Sequence, residues 1–392
     1  MWQAEVRVDL DAIRANVAHL VAGTSAEVMA VVKSDGYGHG MVASARAALD
    51  GGATWLGVAT PTEAITLRES GLTAPILSWL IVPGLPLHDA VAADIDLSVA
   101  TLGLLDEVIA AAERAERVAR VHLKLDTGMS RSGATPAEWP VLLEATAKAQ
   151  SDGLIDVVGV WSHLGCADEP GHPSVDAQLA AFRDGLEVAG RFGVHPRYRH
   201  IANSAAVLTR PDAHFDLIRP GLAIYGLSPM GGRVDGLRPA MTARARVMLA
   251  KRVPAGSGVS YGHTYVTPAE ATIAVVPIGY ADGVPRHASN GGPVQIAGRV
   301  RPIAGRVCMD QFMVDCGDDP VQAGDLVTLF GPGDDGEPTA DDWAAAAETI
   351  NYEIVARFGS ARVARVFDGL RPPGGVVSGA TARYRSVEEG QA

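Results

Sequence analysis

Three cysteines in 392 residues, Cys166, Cys308 and Cys316, form no CxxC pair and stand in no His-rich neighbourhood. That scarcity excludes a disulfide framework and a zinc site of the usual spacing, and it fits a reducing compartment. A basic excess is missing too. With 33 Lys+Arg against 45 Asp+Glu the formal charge is −12, so the footprint used on phosphate backbones is absent and nucleic acid is not an expected partner. No apolar run is long enough to span a bilayer: the longest charge-free stretch, residues 70–88, is interrupted by Pro75, Pro83 and Pro86. The opening residues carry Glu5, Arg7, Asp9 and Asp11 where a secretory leader needs an unbroken apolar segment, so a cytoplasmic protein without membrane association is expected.

What is present is apolar material, 47% of the chain, enough for two domains or one large barrel with an appended module. Short apolar runs alternate with helical stretches over the first 220 or so residues: EVRVDL then DAIRANVAHL, EVMAVVK then MVASARAALD, TWLGVA then PTEAITLRES. The alternation continues through APILSWL, DIDLSVA, ARVHLKLD, IDVVGVWSH, YRHIAN and FDLIRPG. It predicts a parallel sheet covered by helices, and a closed eight-stranded (β/α)8 barrel of the TIM type fits the count better than an open sheet. The absence of GxGxxG after the first run also disfavours a dinucleotide-binding open sheet. After about Gly231 the texture changes to β-branched runs punctuated by Gly and Pro, among them ATIAVVPIGY and GDLVTLFG. The division expected is a barrel over 1–230, a β-rich domain over 231–368 and a flexible Gly/Pro-rich tail over 369–392. One late helix is expected in ADDWAAAAETINYEIVARF, and a last strand in ARVARVF.

Chemistry-bearing side chains gather where strands end. Lys33 closes EVMAVVK just before SDGYGHG, where barrels place catalytic groups. Partial burial there favours a neutral amine able to attack a carbonyl, although alone it also reads as a lysine snorkelling off a strand end. Tyr37 stands between glycines that admit a ligand close to the backbone. In ARVHLKLDTGMSRSG, Val121, Leu123 and Leu125 share one face while His122, Lys124 and Asp126 share the other, with Arg131 on the loop beyond, placed to grip a carboxylate. His163 ends DVVGVWSH, and Asn203-Ser204 precede a helix start that fits phosphate binding or ordinary capping. In FDLIRPGLAIYG, Arg219 ends the last barrel strand, and Gly221 and Leu222 offer backbone N–H groups. Tyr261, Tyr280 and Met309 read as ordinary β-segment residues.

Taken together, AVVKSDGYGHG, KLDTGMSRSG, IRPGLAIYG, VSYGHTY, PIGYADG, GRVCMDQ and INYE occur in order, and the chain resembles the alanine racemase family. That resemblance implies a barrel with a C-terminal β domain, pyridoxal 5'-phosphate as cofactor, no metal, and a homodimer acting on a small amino acid to supply D-alanine for cell walls. It implies Lys33 as the residue holding the cofactor, with Tyr37, Ser204, Gly221, Leu222 and Tyr352 around the phosphate. Arg219 would face the pyridine nitrogen with His163 beside it, and Arg131 would contact the cofactor's phenolic oxygen or the substrate carboxylate. Tyr261 and Met309 would come from the second subunit, Tyr261 as the second base opposite Lys33, while Tyr280 and Tyr352 would narrow the entrance. Some members carry a carbamylated lysine at the place of Lys124. A decarboxylase on a related barrel and a non-catalytic cofactor-binding protein are the alternatives.

Overall fold

The computed structural model describes residues 2–359 and 362–371, so the predicted tail lies outside the described residues beyond Arg371. The first strand, β1 (Ala4–Asp9), is not part of the barrel alternation that the sequence suggested. It pairs antiparallel with β10 (Met241–Arg246) and parallel with the last strand, β19 (Ala364–Asp368), inside a six-stranded sheet of the C-terminal half. Its sequence carries the reason. Apolar Ala4, Val6 and Val8 alternate with Glu5, buried against Arg7 and Arg244, and with half-buried Arg7, the pattern of an antiparallel strand, whereas the barrel strand Glu27–Val31 is apolar after its first residue.

The barrel strands are β2 (Glu27–Val31), β3 (Trp55–Val58), β4 (Ile76–Ser78), β5 (Asp96–Val99), β6 (Ala119–Lys124), β7 (Ile155–Trp161), β8 (Tyr198–His200) and β9 (Leu217–Ile218). Seven neighbouring pairs run parallel, in the order β8-β7-β6-β5-β4-β3-β2-β9. The ring nearly closes where the Asp216 and Arg219 amides donate to the Arg199 and Ala202 carbonyls at 3.1 and 3.0 Å. Val28, Met29, Ala30 and Val31 are all buried, as expected for a strand covered on both faces. Helices 41–50, 61–69, 102–115 and 173–191 follow the periodic stretches read from the sequence.

The mainly-strand C-terminal domain adds β11 (Leu249–Val253), β12 (Gly258–Val259), β13 (Tyr265–Val266), β14 (Ala271–Val276), β15 (Pro293–Ile296), β16 (Arg299–Pro302), β17 (Phe312–Asp315) and β18 (Leu326–Phe330). The six-stranded sheet has the order β16-β15-β18-β10-β1-β19, beside a three-stranded sheet β11-β14-β17 and the β12-β13 pair. The single late helix expected from the sequence is two, Ala340–Ala346 and Asn351–Arg357. Glu348 takes φ 50° and Ile350 is extended, so the chain turns between them. Asn351, buried, ties the second helix down by donating to the Ser228 carbonyl at 2.8 Å and to Asp341 at 2.7 Å. The break carries Tyr352 to the C-terminal mouth of the barrel.

Candidate active site

Past the C-terminal ends of the barrel strands lies a cavity of about 480 Å³. Lys33 enters from the end of β2, Lys124 from β6, His163 from just beyond β7, Ser204 from beyond β8, and Arg219 from the end of β9. Eleven residues singled out from sequence line it together, Lys124 and Asn203 with Lys33, Tyr37, Arg131, His163, Ser204, Arg219, Gly221, Leu222 and Tyr352. Among the described residues the lining carries four basic side chains, Lys33, Lys124, Arg131 and Arg219, and no carboxylate. An anionic ligand is what such a wall accommodates.

Lys33 is half-buried, and its ammonium lies below the ordinary lysine value because of burial and then Arg131, with Glu63 opposing. The backbone that follows is left-handed over a full turn: φ is 54° at Ser34, 51° at Asp35, 63° at Gly36, 53° at Tyr37 and 81° at Gly38. Three of these five carry side chains that disfavour the conformation in ordinary sequence, so neighbours must hold it. Glu63 accepts from the Ser34 amide at 2.7 Å and from the Ala59 and Thr60 amides at 2.9 and 3.2 Å. Asp35 accepts from the Met41 amide at 2.8 Å and pairs with Arg365 at 2.6 Å. The strained turn thereby sets Lys33 and Tyr37 on the same cavity.

Next to Tyr37 the chain needs a glycine at position 221: a Cβ there would overlap the Tyr37 hydroxyl. Ser204 Oγ accepts from the Gly221 and Ala223 amides at 2.9 and 3.2 Å, bringing a hydroxyl and backbone N–H groups to one spot at a helix start. Asn203 is the ordinary cap of that helix, accepting from the Ala206 amide at 3.1 Å, which leaves Ser204 for the cavity. Burial raises the Tyr37 hydroxyl's pKa, and burial with Asp168 pushes Tyr352 to about 12, so both are neutral donors.

Arg219, only 4% exposed, donates through Nη2 to the Ser162 carbonyl at 2.8 Å and lies 3.3 Å from His163 Nδ1. Burial, Arg219 and Arg131 hold His163 well below the usual histidine value, so it is the neutral acceptor in that contact. Arg131 sits on a loop folded tightly at its base. Asp126 accepts from the Gly128, Met129 and Ser130 amides at 2.9, 3.0 and 3.2 Å, and the Ala134 amide returns to the Lys124 carbonyl at 2.8 Å. Of the polar face read in the sequence, His122 and Lys124 do point inward, while Asp126 organises the arginine loop instead.

Sequence reasoning passed over Trp79, Ser132 and Trp161, which also line the cavity. Trp161 lies under two cations, with Lys124 Nζ 4.2 Å and Arg219 Cζ 4.8 Å from its ring centre. Its position as the last residue of β7, two before His163, was the available signal. Tyr261, Met309 and Tyr280 stay outside the cavity of their own chain and are 71%, 53% and 37% exposed.

Comparison with known proteins gives one family throughout. The models for the alanine racemase N-terminal and C-terminal domains match residues 8–229 and 240–367. A relative from Salinispora tropica, an alanine racemase, is 68% identical over 95% of this chain and 100% of its own length. One from Thermobifida fusca is 59% identical over 93% and 98%. Among solved structures, the alanine racemase of a D-cycloserine producing Streptomyces lavendulae superposes with a TM-score of 0.93 at 55% identity, covering 95% of this chain and 98% of that one. The Bacillus anthracis alanine racemase, solved with bound L-Ala-P, gives 0.85 at 37% identity over 97% and 98%.

Proposed function

The chain belongs to the alanine racemase family, and we propose that this isomerase, which interconverts L- and D-alanine, works with pyridoxal 5'-phosphate in the strand-end cavity. The observation that carries the site reading is the convergence of Lys33 and three further cations on one carboxylate-free wall. The residues present fit the cofactor: an amine of lowered pKa for its aldehyde, a buried guanidinium for its ring, and the Ser204, Tyr37 and Gly221 cluster for its phosphate. The cofactor supplies an electron sink that makes the Cα proton of bound alanine removable.

Lys33 would hold the cofactor, and its free amine would move the Cα proton on one face. Tyr261 of a second copy serves the opposite face, with Met309 beside it near the substrate. Exposure of both in the single chain supports that reading, as do the exposed Leu80, Val82 and Leu85 on the loop at the cavity rim. Tyr280 and Tyr352 narrow the entrance. Arg131 holds the substrate carboxylate or the cofactor's phenolic oxygen. Arg219 would face the cofactor's ring nitrogen and, as a buried cation, would disfavour a second positive charge there. No described helix is long and apolar enough to cross a membrane, and the three free cysteines fit the cytoplasmic setting proposed.

The direct test is a chiral product assay. With the cofactor added, L-alanine should give D-alanine without carbon dioxide; carbon dioxide release from a basic or diamino acid, with no inversion of alanine, would instead indicate the decarboxylase. The phosphate cluster makes a separate prediction. Gly221→Ala drives its methyl into the Tyr37 hydroxyl. Cofactor affinity should fall about tenfold or more, the scale of one lost charge-assisted hydrogen bond, in a fluorescence titration. The additional substitution Tyr37→Phe should recover part of the packing and none of the affinity.

Lys124 gives a third prediction. Burial, then Arg219 and Arg131, bring its pKa to about 8, so a large neutral fraction exists near pH 8. A neutral amine adds through its lone pair to the carbon of CO2 and releases a proton to solvent, turning a repelled cation into an anion beside two arginines. Protein given 13C-bicarbonate should show a carbamate carbon signal that grows between pH 7 and 8 and is missing from Lys124→Ala. Its absence from the unaltered protein would leave Lys124 a plain amine.

A further inference from the structure

Beneath the cavity a line of buried polar groups runs through the barrel to its far end. Arg219 Nη1 lies 3.1 Å from His200 Nδ1, His200 Nε2 lies 2.8 Å from His122 Nδ1, and His122 Nε2 lies 3.0 Å from Asp96 Oδ2. Asp96 is the first residue of β5, at the end of the barrel away from the cavity, where Arg120 grips its two oxygens at 2.7 and 3.1 Å. His122, His200 and Asp96 are fully buried, so water does not complete their hydrogen bonds.

Both ends of this line have one permitted role. Arginine only donates, and a carboxylate only accepts. His200 must therefore accept at Nδ1 and carry its proton on Nε2; His122 must accept at Nδ1 and carry its proton on Nε2, which it gives to Asp96. Every proton points away from the cavity. The rings are also held against rotation. Trp161 stacks on His200 at 5.7 Å and 6°, and Trp55 meets the edge of His122 at 5.5 Å and 79°. Gly159, opposite His122 across a register shift between β6 and β7, is a glycine because any Cβ there would strike the His122 ring.

We propose that Asp96 is a positioning residue for the reaction: its carboxylate fixes the direction of the hydrogen bonds through His122 and His200, and so turns a lone pair toward Arg219 and aims the guanidinium. Arg219 then spends one N–H on His200 and another on Ser162, which fixes the edge it presents to the cavity. Neither histidine touches the cavity's contents, and their part is exerted through Arg219. The catalytic consequence rests on the reading that Arg219 faces the cofactor ring; the hydrogen-bond direction does not.

Asp96→Asn reverses the end condition. Either amide orientation sets the NH2 against one N–H of Arg120, whose Nη2 shares Oδ2 with His122; with the amide oxygen kept on Arg120 Nε, the shorter contact, the NH2 faces His122, which must then accept at Nε2 and donate from Nδ1. His200 is left with a proton on Nδ1, pointed at an N–H of Arg219. In full-length protein labelled with 15N-histidine, with cofactor bound and without, nitrogen shifts assigned through single His→Gln variants should place the protons of His122 and His200 on Nε2. In Asp96→Asn they should move to Nδ1, and in Arg120→Gln they should stay. The variant should lose about tenfold in kcat, the scale of a broken charge-assisted hydrogen bond, with KM within about twofold, and should form more pyruvate per racemisation event. An imidazolium or an Nδ1 proton on His200 of the unaltered protein would overturn the proposal, whether or not the variant folds. Moved protons with unchanged kcat and pyruvate ratio would leave the relay standing and sink the ring-facing reading of Arg219.

Discussion

Lys33→Ala is expected to lower kcat at least about 10⁴-fold, the upper range for a positioned acid–base group, because one substitution removes both the covalent anchor and the base proposed for this site. The loss should be chemical and not structural. The left-handed turn is held by Glu63, Asp35 and Arg365 through the backbone and neighbouring side chains, none of them through the lysine amine. Circular dichroism and melting temperature should therefore change little; removing a half-buried ammonium whose proton affinity burial has lowered relieves a desolvation cost and so does not destabilise. The cofactor should still bind through the Ser204 and Gly221 cluster, but borohydride should no longer fix it to the polypeptide. In the unaltered chain, borohydride should fix it to the peptide containing residue 33. A small primary amine added to the variant should return a fraction of the racemisation. Fixation at Lys124 in the unaltered chain, or retained activity in Lys33→Ala, would contradict the assignment.

The parts of this site that the sequence made legible share one property: each is a polar residue at the end of an apolar run. Lys33 after EVMAVV, Arg219 after FDLI and His163 after DVVGVWS are read from periodicity because these barrel strands are mostly buried up to their C-terminal ends. The same rule misplaced β1. EVRVDL has the length and β-branched content of a barrel strand, and only its alternating charges, with Glu5 buried against Arg7 and Arg244, marked it as belonging to another sheet. The late helix failed on a smaller scale, because ETIN continues an acceptable helical pattern until tertiary contacts of Asn351 outweigh local propensity. The Asp96 line was not legible at all. A lone carboxylate in DIDLSVA and the histidines of ARVHLKLD and YRHIAN lie on three strands, and only the closed ring puts them within hydrogen-bond reach. Trp161 escaped for the related reason that a tryptophan ending a strand looks like packing until two cations are seen on its face.

Tyr261→Phe should match the lysine variant in severity for racemisation while leaving Lys33 able to hold the cofactor, since only the base on the opposite face is gone. Proton exchange should then become one-sided. In deuterated water one enantiomer of alanine should still exchange its Cα hydrogen, slowly and without inversion, while the other should not. The more telling measurement uses mixed dimers. Tyr261 is 71% exposed and lies outside its own chain's cavity, so a tyrosine that works does so across a subunit boundary. Under two-fold symmetry, a dimer of one Lys33→Ala chain and one Tyr261→Phe chain has one site with both defects and one with neither. If the tyrosine acted within its own chain, each site would carry one defect and none would work. Random mixing makes half of the dimers mixed, each with one of two sites intact, so the mixture of two inactive proteins should recover about a quarter of the unaltered activity per chain. Activity at the level of either parent after verified subunit exchange would place the second base elsewhere. Recovery near that quarter would assign in one experiment the tyrosine, the shared site and the dimer, because no arrangement with both groups from one chain restores a complete pair.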